Sequence, residues 1–146
     1  MALPSSIRDL SFKALNAAHG SLIRLSGGRV GRSGFGMAVV ELHTTGRRSG
    51  RARVTLLAAP LRDEGRVVLV ASKGGDDRDP DWYRNLVAQP KVELSIDGER
   101  RPFTARTASA EEKAELWPKV VAAYKGYAGY QRRSARDIPL VICEPR

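Results

Sequence analysis

A segment in the middle of the chain has the residue types of an anion-binding loop. An apolar run at 67–70 predicts a strand that ends at Val70, and five residues follow it: Ala71, Ser72, Lys73, Gly74 and Gly75. Paired glycines let the backbone turn sharply and approach a ligand closely, while a lysine and a following helix N-terminus both attract anions. The segment predicts a cradle for phosphate or carboxylate groups, with an ordinary strand-to-helix connection as the alternative.

Three tyrosines at three-residue spacing form a second group suited to ligand contact. Tyr124, Tyr127 and Tyr130 fall within one broad face of a helical turn, and the glycines between them keep that turn pliable. Phenol rings offer flat surfaces for stacking, and their hydroxyls can hydrogen-bond a carbonyl. The pattern predicts either the wall of a ligand pocket or plain core packing.

Positive charge is concentrated in the first third of the chain. There are 25 lysines and arginines against 16 acidic residues, a formal net charge of +9. Residues 24–53 contain seven arginines and one acidic residue, and Arg47, Arg48 and Arg53 lie in or beside a predicted tight turn. Such a patch suits nucleic acid, an anionic membrane surface or a small ligand rich in phosphate and carboxylate. Phe35 is its only aromatic residue, which disfavours nucleic acid because single strands are bound by stacking.

Several other chemistries lack the residues that they need. His19 and His43 have no partner at metal-ligand spacing, so we expect no metal site, and no GxSxG or Walker pattern is present. Cys143, the single cysteine, lies in a predicted buried strand and is expected to be an inert core thiol. No apolar run could span a bilayer and no signal-peptide core is present, so we expect a reducing cytoplasm.

Residues 5–25 predict an amphipathic helix. Apolar residues recur there at three- and four-residue steps: Ile7, Leu10, Ala14, Ala18, Leu22 and Leu25. A stripe of this kind packs on its own domain or docks on a membrane surface, and both alternatives are open. The helix and a glycine-rich connector occupy 1–35, and a single domain occupies 36–146.

Short strands joined by tight turns are predicted for most of that domain. The strands are expected at 37–43, 52–61, 66–71, 92–96, 99–106 and 139–144. The turns are expected at 44–50, 62–65 and 97–98, the last an Asp-Gly hairpin. Pro102 predicts an edge or bulged strand. The pattern indicates an α+β domain built on a small antiparallel barrel.

Two helices are marked by their start signals. Asp79 as N-cap and Pro80 at the first helical position predict a helix at 80–87. Ser109 followed by Glu112 is a capping-box pattern, so a second helix is expected to begin there. Pro118 is expected to kink that helix or to split it in two.

Taken together, the motifs resemble the deazaflavin-dependent nitroreductase and quinone reductase family. The resemblance lies in TTGRRSG at 44–50, ASKGG at 71–75, PxWYxNL at 80–86, the three spaced tyrosines and RxIP at 136–139. It covers roughly residues 36–145. It implies a split β-barrel fold, with flanking helices, that uses coenzyme F-420, a reduced 5-deazaflavin.

The resemblance also implies roles for individual residues. The coenzyme has a phosphodiester and an oligoglutamate tail, which require cationic and amide donors. The implied coenzyme-binding residues are Arg47, Arg48, Arg53, Val70, Ala71, Ser72, Lys73, Gly74, Gly75 and Asn85. The implied acceptor-side residues are Trp82, Tyr124, Tyr127 and Tyr130, one tyrosine hydroxyl orienting or protonating the acceptor oxygen. The implied reaction is hydride transfer to a quinone-like or other electron-poor acceptor.

One stretch departs from the family pattern. Relatives often have a proline and an aromatic residue after the basic turn, whereas this chain has TLLAA at 55–59. The missing aromatic residue is expected to open that side of the pocket, so reduction of nitro compounds does not follow from the resemblance. An FMN-dependent enzyme on the same barrel is an alternative, which a basic site for a long acidic tail disfavours.

Overall fold

The computed structural model describes residues 37–146, which form one seven-stranded antiparallel sheet and three helices. The strands are β1 Ala38–Thr45, β2 Ala52–Ala59, β3 Leu61–Asp63, β4 Arg66–Val70, β5 Lys91–Ile96, β6 Glu99–Thr107 and β7 Leu140–Pro145. The helices are α1 Asp81–Ala88, α2 Ala110–Ala123 and α3 Gly126–Arg133. The predicted helix at 5–25 and the connector after it lie outside the described residues.

The strand order is β2-β1-β5-β6-β7-β4-β3, and β2 also approaches β4, so the sheet curls into a half-barrel. The predicted α+β antiparallel barrel is confirmed. Within residues 37–146, no helix combines the length and the apolar character needed to cross a lipid bilayer.

Strands β4 and β7 bury both of their faces. Leu69 and Val141 point into the barrel, where they pack with Trp82 of α1. Val68 and Ile142 point outward and are covered by α2 and α3. Near-continuous apolar runs are typical of strands buried on both sides. These two strands therefore give the loop after Val70 a firm base.

Pro60 divides what the sequence predicts as one strand at 52–61. Strand β2 ends at Ala59 and pairs with β1, while β3 begins at Leu61 and pairs with β4 at the opposite edge of the sheet. A proline cannot donate to a ladder, so the chain leaves one edge and joins the other at this point. The predicted turn at 62–65 is correspondingly shorter, because only Glu64 and Gly65 have left-handed backbone angles there.

Pro102 lies in a central strand and not in the edge strand that it predicts. Strand β6 pairs with both β5 and β7. The carbonyl of Pro102 accepts a hydrogen bond from the Arg146 amide, so this residue faces the point where β7 ends. The missing N–H therefore interrupts no interior ladder bond, which explains why a proline is tolerated.

The helix starts agree with their signals in one case and differ in the other. Ser109 and Glu112 form the predicted capping box at the start of α2. Hydrogen bonds from Arg106 and from the Ser109 backbone lower the pKa of Glu112 to about 2. Helix α2 continues through Pro118 as one span. Helix α1 has Pro80 at its N-cap, and the predicted cap Asp79 pairs with Arg136 instead.

Candidate functional site

The loop after β4, residues 71–75, is called the glycine loop below. It contains three successive residues in the left-handed backbone region. The φ angles are 46° at Lys73, 63° at Gly74 and 89° at Gly75. A Cβ on Gly75 would lie 3.0 Å from the carbonyl oxygen of Tyr130 and 3.1 Å from its Cα. Both the angle and the close approach therefore require glycine at this position. The predicted cradle segment forms a tight loop that packs against helix α3.

Hydrogen bonds within the segment hold this loop closed. The Gly75 amide donates to the Ser72 carbonyl, and the Asp76 amide donates to the Lys73 carbonyl. Burial disfavours the Asp76 carboxylate, but hydrogen bonds from the Arg78 side chain and backbone prevail and lower its pKa to about 2. Asp76 is therefore charged at neutral pH, and its carboxylate holds Arg78 at the end of the loop.

The segment 134–136, which follows α3, fastens the loop from the other side. The Ser134 hydroxyl donates to the Asp76 carbonyl at 3.2 Å, and the Ala135 amide donates to Asp77 Oδ1 at 2.8 Å. Arg136 donates to the carbonyls of both Asp76 and Ser72. The sequence placed Arg136 in a motif but assigned it no role in the site.

Arg47 and Asn85 connect the basic turn to helix α1. The backbone N–H and Nη1 of Arg47 donate to Asn85 Oδ1 at 3.2 and 2.9 Å, and Nη2 lies 3.4 Å from an Asp81 carboxylate oxygen. Asn85 is buried. Two residues that the resemblance assigns to coenzyme binding, Arg47 and Asn85, are therefore hydrogen-bonded to one another. Arg48 and Arg53 are exposed, and within residues 37–146 neither is ion-paired.

The first residues of α1 bring the basic turn and the loop together. Asp81 receives Arg47 from the basic turn, while Asp79 lies 3.2 Å from Nη1 of Arg136, which also holds the loop. These two carboxylates are two residues apart along the chain. Arg47 of the basic turn and Arg136, which holds the loop, thus meet carboxylates at the start of the same helix.

The three tyrosines contact one another, but they differ in burial. Tyr127 is buried, donates its hydroxyl to the Met37 sulfur at 3.7 Å, and has its pKa raised by burial. Tyr124 and Tyr130 are half-buried, with ring centroids 6.3 Å apart. A hydrogen bond with Tyr124 raises the pKa of the Tyr130 hydroxyl. Arg133 lies over the Tyr130 ring at 5.2 Å.

Trp82 lies apart from the tyrosines with which the resemblance groups it. Trp82 is 8% exposed and packs inside the barrel with Leu86, whereas the tyrosines belong to the outer cluster that α2 and α3 form with the sheet. The side chains of Val70 and Ala71 are likewise buried. The side chains of these three residues therefore belong to the core.

His43 and Cys143 are not available for chemistry at the surface, because one is hydrogen-bonded and the other is buried. His43 lies 2.8 Å from the Ser95 hydroxyl, and burial lowers its pKa. Burial raises the pKa of the Cys143 thiol to about 12. In the part of the chain that the structure describes, no three His, Cys, Asp or Glu residues are grouped as metal ligands would be.

Comparisons with known proteins agree with this geometry. A family model described as F420H(2)-dependent quinone reductase matches residues 17–145. The F420H(2)-dependent quinone reductase Rv1261c of Mycobacterium tuberculosis is 37% identical over 132 residues, which cover 88% of each chain. The putative F420H(2)-dependent quinone reductase Rv3178 of the same species is 40% identical over 100 residues, covering 68% of this chain and 83% of the relative.

A solved structure supports the same assignment. The F420-H2 dependent reductase FDR-A is 39% identical, with a TM-score of 0.66, over 73% of this chain and 93% of that one. The family expected from the motifs is confirmed by sequence and by fold. This chain belongs to the F420H(2)-dependent quinone reductase family.

Proposed function

We propose that this protein is an oxidoreductase that passes a hydride from reduced coenzyme F-420 to a quinone. The observation that carries the proposal is the contact between the glycine loop and helix α3. Gly75 packs directly on the backbone of Tyr130, so a coenzyme held by the loop lies beside the tyrosines. Family membership supplies the coenzyme class and the quinone acceptor.

The residues of the basic turn and of the glycine loop fit the acidic part of the coenzyme. A phosphodiester and a glutamate tail require cationic and amide donors. Exposed Arg48 and Arg53 suit the tail, while Lys73 and the backbone of the left-handed loop suit the phosphodiester. Arg47 and Asn85 contribute by holding the turn in place.

Hydride donation from C5 of the deazaflavin ring is the chemistry that the coenzyme supplies when bound. The protein places the acceptor and excludes water from the ring face. Tyr130 is half-buried, and its hydroxyl is hydrogen-bonded with that of Tyr124. When an acceptor binds, the Tyr130 hydroxyl turns from Tyr124 and donates to the acceptor oxygen, where negative charge develops during reduction.

The acceptor range beyond quinones is the finer part of the proposal. Ala58 and Ala59 stand at the end of β2, in the stretch that lacks the aromatic residue expected from the resemblance. Small residues there favour a wider acceptor side, and nitro compounds are a second candidate class. Turnover of a nitroaromatic compound, measured beside menadione, tests this part separately.

A parallel titration tests the coenzyme assignment. We expect reduced coenzyme F-420 to bind more tightly than FMN or NADPH, and to bind less tightly when its glutamate tail is shortened. Higher salt should weaken binding as well, because exposed charge pairs are screened. Fluorescence titration of the purified protein gives all of these affinities. Tighter binding of FMN, with no effect of the tail, would favour the flavin-dependent alternative.

We further propose a cytoplasmic enzyme without a nucleic-acid partner that touches a membrane peripherally through residues 5–25. Lipid-soluble quinones partition into bilayers, and a basic amphipathic segment suits an anionic membrane surface. Sedimentation of the full-length protein with anionic vesicles, compared with neutral ones, tests the membrane contact. Equal recovery in both supernatants would contradict it.

A further inference from the structure

Arg136 is bound to the glycine loop at both of its ends. Its Nε donates to the Asp76 carbonyl and its Nη2 to the Ser72 carbonyl, each at 3.0 Å. Nη1 lies 3.2 Å from a carboxylate oxygen of Asp79. The side chain is 15% exposed. The guanidinium group therefore spans the left-handed turn Lys73–Gly75 and ends at the N-terminus of α1.

The loop needs such a support because its backbone is unfavourable on its own. Lys73 has a φ of 46°, a conformation that residues other than glycine rarely adopt. Backbone of this kind persists only where surrounding contacts over-determine it. The guanidinium group suits this task, since its planar fork can donate to two carbonyls and pair with a carboxylate at once.

The same residue connects the loop to the helix that carries Tyr130. Arg136 follows the end of α3 by three residues, and Ser134 and Ala135 also bond to the loop segment. Gly75 completes the connection by its contact with the Tyr130 backbone. The glycine loop and helix α3 therefore form one unit. A displaced loop would change its own position and that of Tyr130.

We infer that Arg136 is the positioning residue of the site: it sets the shape of the glycine loop and the distance between this loop and the tyrosines. This inference rests on the proposed function. Arg136 acts through the loop, because its Nε and Nη2 donate to backbone carbonyls, its Nη1 is buried and faces the Asp79 carboxylate without a hydrogen bond, and its side chain is largely buried. Its loss therefore changes coenzyme affinity without removing a ligand contact.

Three variants test this role: Arg136→Ala, Arg136→Lys and the control Arg132→Ala. Arg132 lies in the last turn of α3 and is exposed, so its removal costs the same charge without touching the loop. We expect Arg136→Ala to raise the Kd for reduced coenzyme F-420 by about tenfold or more, the range for losing buried hydrogen bonds to a charged group. Arg136→Lys should fall between the wild type and Arg136→Ala, since an ammonium cannot reach both carbonyls and the carboxylate. Arg132→Ala should stay within about twofold.

Chemical rescue separates positioning from stability alone. Ethylguanidinium should restore part of the coenzyme affinity of Arg136→Ala, because it refills the vacated space with the same fork of donors, and it should leave Arg132→Ala unchanged. A purely structural role would lower Tm and leave the Kd, measured well below Tm, at its wild-type value. That result would overturn the inference.

The outcomes distinguish this inference from the proposed function. A wild-type protein that does not bind the coenzyme would refute the function itself. Wild-type affinity in Arg136→Ala would refute the positioning role alone. If Arg136→Ala does not fold, Arg136→Lys decides, since wild-type affinity in that variant would show that the two carbonyl contacts are dispensable.

Discussion

Alanine in place of Gly75 is expected to weaken the binding of coenzyme F-420 by about tenfold or more. The new Cβ would lie 3.0 Å from the Tyr130 carbonyl oxygen at a φ of 89°, so the loop must shift away from α3. Strain of this kind costs roughly 1–3 kcal/mol, which corresponds to about 5-fold to 150-fold in an equilibrium constant. Fluorescence titration gives the affinity, and thermal unfolding gives the accompanying loss of stability.

Gly98→Ala is the matched control for this change. Gly98 has a φ of 80°, but nothing lies within 4 Å of the position that a Cβ would take, and it belongs to the β5–β6 hairpin. Both variants should lose about 1 kcal/mol of stability or more from the left-handed backbone. Only Gly75→Ala should lose coenzyme affinity. Equal affinities in the two variants would show that the loop does not bind the coenzyme.

Phenylalanine in place of Tyr130 is expected to lower kcat with menadione by about tenfold or more and to leave coenzyme affinity intact. The hydroxyl strengthens its hydrogen bond as the acceptor oxygen gains negative charge, so its loss is felt in the transition state. Because the pKa of Tyr130 is raised, its hydroxyl stays protonated to a higher pH than the hydroxyl of an ordinary tyrosine. Wild-type turnover should therefore persist above the pH at which an ordinary tyrosine ionises. Steady-state rates across alkaline pH measure both effects.

Tyr127→Phe is the control, since its hydroxyl is buried against the Met37 sulfur. That variant should lose stability modestly and keep the wild-type kcat. Tyr124→Phe should fall between the two, because it removes the hydrogen-bond partner of the Tyr130 hydroxyl. Three wild-type rates with lowered Tm values would return the whole cluster to core packing.

Local signals predicted the parts of the fold that depend on neighbouring residues. The Asp97-Gly98 hairpin and the Ser109–Glu112 capping box are confirmed, since each is specified within four residues. The division at Pro60 was missed although a proline marks it, because only the sheet order shows that its two sides join opposite edges. The placement of Pro102 depended equally on a distant partner, Arg146.

In the site, too, features set by neighbouring residues were predictable and features set by distant residues were not. Two glycines and a lysine marked the loop, because its conformation is a property of its own residues. The role of Arg136 was not predictable, since its partners Ser72 and Asp76 lie about sixty residues earlier. The direction of the Trp82 side chain was also not predictable, because it depends on which face of α1 the barrel covers.

The position of β7 has a consequence for how the protein is made. Residues 140–145 form this strand, yet it lies between β6 and β4 in the sheet. Until the ribosome has added them, the β3–β4 hairpin has no strand to which it can hydrogen-bond in the rest of the sheet, and the growing chain exposes apolar surface that invites aggregation or chaperone binding. The segment that fastens the glycine loop emerges immediately before β7. Completion of the sheet and competence to bind the coenzyme are thus reached together, at the end of synthesis of this domain.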